Sequence, residues 1–235
     1  MVIPYIDIKF CFLDDTPIGK DPDSYSPTLR RYHKYLWSKS LPSGKIFILD
    51  DTMQDNYLYH KSDLGEFIFS SDSAIHTFTK LSSMAWIINK LEDGEAESFR
   101  RLSYTIGGMI IFPSNRVDGK ATINGARGMH PKIKDRIDLT LECIRRHYSK
   151  DISPLSDVMG RYSDFFALFN NFRGYIEFFL LQDLVNSDFS AINFLAPFND
   201  FQTSPLPRTL DEYQAYKAKT INFVNSRNKR IQDVS

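Results

Sequence analysis

Apolar residues in this chain change period part-way along it. Before Pro113 they fall mostly into short strand-like runs, and from Lys134 onward they recur at helical spacing. Strands early and helices late predict an α+β fold: an antiparallel or mixed sheet from the N-terminal half packed against helices of the C-terminal half, in preference to a doubly wound fold. With 42% apolar residues, 19 Phe and 12 Tyr among 235 positions, the chain can bury a large core. No linker-like stretch, internal repeat or low-complexity tract divides it, so residues 1–235 are read as one globular domain.

The expected elements follow from local pattern. Residues 5–12 (YIDIKFCF) alternate and are read as a strand, and the Asp-, Pro- and Gly-rich segment after them as a loop. Pro27 opens a helix in which Leu29, Tyr32, Leu36 and Trp37 share a face. Lys45–Leu49 reads as a second strand. Residues 56–70 read as two more, joined near Ser62–Gly65 as a hairpin. Asp72 or Ser73 is expected to cap a helix reaching Leu91. Residues 103–112 form the best candidate for a central strand, with Gly107 and Gly108 marking a bulge or a close backbone approach. Further on, Asp135 is expected to cap a helix whose Ile137, Leu141, Ile144 and Tyr148 make one buried stripe. Apolar helices over 155–170 and 174–186 follow. Thr209 and Glu212 have the spacing of a capping box for a last helix, with Arg227, Lys229 and Arg230 at its basic end.

Charges balance at 29 basic and 29 acidic residues, so no whole-molecule field draws the chain to nucleic acid or an anionic membrane. The balance is uneven along the sequence. Residues 1–75 hold 8 Lys/Arg and 11 Asp/Glu, whereas 114–150 hold 9 and 4, a local excess of +5. Cys11 and Cys143 lack CxxC spacing, which suggests neither zinc nor a disulfide framework. With no basic leader and no 18-residue apolar run, a cytoplasmic protein that does not span a membrane is expected.

The stretch SNRVDGKATINGARGMHPKIKDR, residues 114–136, concentrates the functional signal. Its glycines at 119, 125 and 128 permit close backbone approach, its Arg and Lys side chains suit phosphate contacts, and a helix is expected to begin at its end. It matches neither G-x-x-x-x-G-K-[ST] nor G-x-G-x-x-G, and a solvated basic loop has the same composition. Arg116, Lys120, Arg127, Lys132, Arg136 and Arg145 are the candidate anion-gripping residues, with Asn124 orienting the ligand. Asp138 is the leading acid/base candidate, ahead of His60 and Glu177. Asp138, Glu142, Arg145 and Arg146 fall on one side of a helix, where ordinary ion pairing is the preferred explanation. No His or Cys spacing points to a metal. Dense aromatics over 162–179 read as core. Ser70 and Ser71 lack a nucleophile-elbow context, and helix capping suffices to explain them.

The segments TIGGMIIFPSNRVDGKATINGARG, DRIDLTLECIRRHY, RYSDFFALF and GYIEFFLLQDLV together resemble a family of bacterial proteins described only as a domain of unknown function. The likeness spans most of the chain, from SPTLRRYHKYLWS to NSRNKRI. It implies a bacterial cytosolic origin and assigns no catalytic residue or cofactor. The function expected from the residues themselves is binding, with or without processing, of a nucleotide or nucleic-acid phosphate through the basic loop. The rival is a non-enzymatic module that docks an acidic protein partner. An NAD-dependent ADP-ribosyltransferase-like enzyme is a further variant, because His60, Tyr104 and Glu177 occur in a suitable order, although their contexts do not reproduce that family's motifs.

Overall fold

The computed structural model describes residues 5–52 and 57–235. Asn56, the first residue of the expected third strand, lies outside these. Strands β1 (Leu58–Ser62), β2 (Gly65–Ser73) and β3 (Met109–Pro113) form an antiparallel sheet in the order β1-β2-β3. The remaining regular structure is helical, so the fold is α+β, with its strands in the N-terminal half. The hairpin forms where the sequence predicts it, with Ser62 opposite Gly65 and Leu58 opposite Phe69.

β2, not the strand after residue 103, occupies the middle of the sheet, pairing Phe69 with Pro113 and Ser73 with Met109 on its far side. β3 is nevertheless buried at every position. Its open edge is covered by α10 (Leu210–Val234), whose Arg227 donates to the carbonyls of Gly107 (3.0 Å) and Met109 (2.7 Å). The expected basic end of this helix therefore turns inward at Arg227, which is fully buried. Close approach explains the glycine pair. A Cβ on Gly107 would lie 2.5 Å from the Val224 carbonyl, and one on Gly108 would lie 2.1 Å from that of Ser103.

Three expected elements are replaced. Residues 5–12 form turns: Asp7 N–H donates to the Tyr32 hydroxyl and Phe12 N–H to the Tyr104 carbonyl, so the backbone is satisfied piecemeal and not by a neighbouring strand. Lys45–Leu49 keeps the alternation, with Phe47 and Leu49 buried and Ile46 and Ile48 exposed. It pairs only as a single bridge, Ile46 with Ser40, and two of its other ladder groups are taken by side chains: Ser38 Oγ accepts from Leu49 N–H and His60 Nδ1 donates to the Ile48 carbonyl. The helix expected from Asp72 or Ser73 gives way to the end of β2, because Asp72 is drawn to Arg127 instead of capping. Short helical turns follow, including α3 (Ala85–Ile88), then α4 (Glu95–Ser103).

Elsewhere the sequence signals hold. α1 (Pro22–Tyr25) and α2 (Pro27–Trp37) each begin with Pro, and Ser26 Oγ accepts from Leu29 N–H at 3.1 Å. α5 (Ile123–Met129) lies inside the stretch read as a basic loop. α6 (Ile137–Ser149) forms as expected, but Arg136 occupies the cap position. Asp135 is left-handed at φ +57°. Residues 155–170 split into α7 (Ser156–Arg161) and α8 (Ser163–Ala167), and the next helix shortens to α9 (Phe172–Phe178). The aromatics of this region are core, Phe165, Phe169, Tyr175 and Phe179 packing ring to ring. Thr209 Oγ1 accepts from Glu212 N–H, as a capping box requires, while Glu212 returns its bond to Arg208 N–H. Among the described residues no helix is long and apolar enough to cross a membrane.

Candidate functional site

β2 ends on Ser70-Ser71-Asp72-Ser73, and strand alternation turns Ser71 toward α2 and Asp72 toward α5. On the α5 side, Arg127 is wholly buried over the ring of Phe112. Its Nη1 donates to Asp72 Oδ2 at 2.5 Å, Nη2 to the Asp135 carbonyl at 2.6 Å and Nε to Thr140 Oγ1 at 3.2 Å. One guanidinium thus joins β2 to the turn before α6. That hold over-determines the left-handed backbone of Lys134 and Asp135, at φ +48° and +57°. Asn124, one turn earlier, donates to Ser70 Oγ (2.9 Å) and the Ser71 carbonyl (3.3 Å).

On the other side, Trp37 Nε1–H lies 3.0 Å from His33 Nδ1 and His33 Nε2 lies 3.0 Å from Ser71 Oγ. A tryptophan N–H only donates, so His33 Nδ1 accepts and its proton sits on Nε2. His33 is fully buried and its pKa falls to about 3, chiefly by burial and secondarily by the charge of Arg227. It is therefore a neutral donor to Ser71. A serine–histidine nucleophile would need the opposite direction.

Asp72 lines a cleft of about 220 Å³. Asp21 and Asp23 enter it from the start of α1, Arg100 and Tyr104 from the end of α4, and His76 and Asp135 from the loops on either side. Burial raises the Asp72 carboxyl, Arg127 pulls it back, and it rests at about 6. Asp23 is held well above the usual carboxylate range by burial, then by the charges of Asp72 and Asp21. Burial likewise lowers His76 and raises Tyr104. Neighbouring carboxyl groups shifted toward neutrality inside a cleft are equipped to exchange a proton with a bound molecule near pH 6. Among the described residues no group of three or more His, Cys, Asp or Glu is arranged to hold a metal ion.

The residues singled out from the sequence are dispersed by the fold. Asp138 is fully buried, accepting from Arg136 at both oxygens (3.1 and 2.5 Å) and from Leu195 N–H (2.9 Å). Its acceptor sites are occupied by protein, which opposes an acid/base role. Arg136 is buried with it and donates onward to the Pro205 carbonyl at 3.0 Å, so its guanidinium is held by the protein. Arg145 makes a two-pronged pair with Glu142 at 2.8 Å, the helix-pairing alternative. His60 stacks on Phe47 and spends both nitrogens locally, on the Ile48 carbonyl and Ser62 Oγ, each at 2.8 Å. Glu177 pairs on the surface with Arg173. Arg116, Lys120 and Lys132 are exposed. Of the predicted set, Asn124 and Arg127 come together, and Arg127 does so as a structural clamp behind the cleft.

Residues 6–231 match a family described as a family of unknown function, DUF6994. The chain belongs to that family. No curated protein and no solved structure matches it. Membership in DUF6994 brings no catalytic residue with it, so the cleft is judged on its own chemistry. Asp21 and Asp23 were hidden in a segment readable only as a turn-rich loop, and Asp72 in what reads as a helix cap. The one signal that separates them from ordinary turn aspartates is their convergence in space.

Proposed function

We propose that the cleft between α1, the end of β2 and α4 binds a small polar molecule that donates hydrogen bonds, and that Asp72 and Asp23 exchange a proton with it. The observation that carries this reading is the pair of carboxyl groups brought to one cleft from separate elements, with Asp23 Oδ1 buried and lacking a hydrogen-bond partner. A buried acceptor left open is costly, and a ligand N–H or O–H would satisfy it. A protonated carboxyl beside an ionised one provides an acid and a base together. The buried free thiols Cys11 and Cys143 suit a reducing cytoplasmic setting.

A second reading keeps the nucleotide or nucleic-acid phosphate expectation outside the cleft. It is favoured by the exposure of Arg116, Lys120 and Lys132, which would equally suit an acidic protein partner. Thermal-shift screening of small amines, polyols, nucleotides and short oligonucleotides separates the two, since a ligand of the native state raises Tm. The cleft reading expects stabilisation by an amine or polyol that D72N or D23N abolishes. Stabilisation by nucleotides that survives D72N but is lost when Arg116, Lys120 and Lys132 are replaced would reject it for the phosphate reading.

A further inference from the structure

The loop of residues 196–208 and the first turn of α10 line a second cavity, of about 230 Å³, that shares no residue with the cleft of Asp72. Its charged lining residues are Arg136, Arg208 and Glu212. Arg136 is only 2% exposed. A guanidinium carries five N–H donors, and Arg136 spends three: Nε on Asp138 Oδ1, Nη2 on Asp138 Oδ2 and Nη1 on the Pro205 carbonyl. One N–H on each Nη atom therefore has no acceptor among the described residues. Leaving donors of a buried charged group unmade is costly, and the cavity gives an acceptor room to stand against them. Arg208 is exposed on the same cavity, and its side chain makes no hydrogen bond or ion pair among the described residues. We propose that this cavity binds a small monocarboxylate, its oxygens taken by the two unspent N–H groups of Arg136 and by the guanidinium of Arg208.

Charge decides between anions. Asp138 already meets the charge of Arg136, and Glu212, whose Oε2 accepts from Arg208 N–H at 2.6 Å, lines the same cavity. The donors are thus directed while the local charges balance, Arg136 and Arg208 against Asp138 and Glu212. A single negative charge spread over two oxygens suits such a site, and a phosphate dianion meets the two carboxylates with twice the repulsion. The walls set the rest of the molecule. Phe198 and Leu206 line the cavity, and the Phe198 ring is braced by stacking on Phe194 with centroids 4.1 Å apart. Apolar walls of this kind favour a short hydrocarbon chain or a ring over a second charged group. The volume lies below the range of about 300–1,000 Å³ that holds drug-sized ligands, which limits the occupant to a small acid.

Titration of the full chain with butyrate and with benzoate, at ionic strength matched with chloride, tests the site through Tm and the nitrogen-15 NMR signal of Arg136 Nε. Both acids are expected to raise Tm and to move that signal. Butyramide, which keeps the shape and loses the charge, and inorganic phosphate are expected to leave both in place. R208A alters an exposed side chain and is expected to weaken carboxylate affinity about tenfold, the size of one hydrogen bond to a charged group, with the Tm of the free protein unchanged. R136K keeps the charge and loses the fork, so binding is expected to be lost with it. Should R136K fold poorly, R208A and the Arg136 signal of the wild type decide the matter alone. An Arg136 signal unmoved by either acid, carboxylate stabilisation that R208A leaves intact, an equal response to butyramide or a stronger one to phosphate would each overturn the inference. Because the two cavities share no residue, the cleft of Asp72 stands or falls separately, by D23N and D72N.

Discussion

Arg127 is completely buried, and its guanidinium lies 2.5 Å from the carboxylate of Asp72, which keeps one flank open to a cleft. The pair divides two tasks: the arginine ties β2 to the approach of α6, and the aspartate faces whatever the cleft admits. Removing one partner of such a pair strands the other in low dielectric, at a typical cost of 3–5 kcal/mol. R127A is therefore expected to lower the unfolding free energy by about that amount in urea titrations. It should also push Asp72 above its value of about 6. R127A/D72N should recover part of the loss, and additive costs would show that the two groups are uncoupled.

Asp138 distinguishes a structural carboxylate from one that acts. Both of its oxygens accept from Arg136 and one also from Leu195 N–H. In D138N an amide donor replaces one of these acceptors and meets N–H groups, for an expected loss of about 3 kcal/mol. Ligand stabilisation per folded molecule should be unchanged. A selective loss of binding with unchanged Tm would return Asp138 to the site.

Two glycines should respond with opposite signs. The Cβ of G107A would sit 2.5 Å from the Val224 carbonyl, and the backbone contact cannot give way cheaply, so a loss of about 1–3 kcal/mol is expected. Gly160 is inside α7 with open space around its Cβ position. G160A is expected to gain up to about 1 kcal/mol through helix propensity. Calorimetric Tm values of the two variants check both signs in one experiment.

His33 gives the protein an acid-labile core. Its folded pKa, at about 3, lies below the ordinary histidine value of 6.5, so between those values the unfolded chain binds the proton that the native protein refuses. Stability is then full above pH 6.5 and is lost as pH falls, with a slope of up to about 1.4 kcal/mol per pH unit. Asp72 acts in the opposite sense, since its raised carboxyl binds a proton in the native state between about 4 and 6. Comparing wild type with H33Q across pH 4–7 isolates the histidine, because the carboxyls are common to both. A difference that is flat with pH would show that His33 titrates alike in the folded and unfolded states.

Local chemistry explains which parts of the fold were legible. Pro27 after Ser26 and the Thr209–Glu212 spacing are complete within one turn of chain, and the helical period of α6 within about three, and each helix formed where the residues indicate. Strand readings failed where long-range partners took the backbone groups: the Tyr32 hydroxyl at Asp7, Ser38 and His60 along Lys45–Leu49. The local excess of positive charge at 114–150 was legible too, but composition cannot tell whether an arginine faces water. Arg127 and Arg136 face inward because Asp72 and Asp138 await them there.

By itself the sequence determined the α+β class, the hairpin, the long capped helix at the end and the family to which the chain belongs. The cleft was decided only by tertiary structure. Asp21 and Asp23 lie about fifty positions from Asp72 and further still from Tyr104 and Asp135, and each alone is an ordinary turn or cap residue. What changes their chemistry is being placed together with their hydration removed, and that is a property of the packed chain, because burial and charge proximity act through space and leave no periodic trace along the sequence.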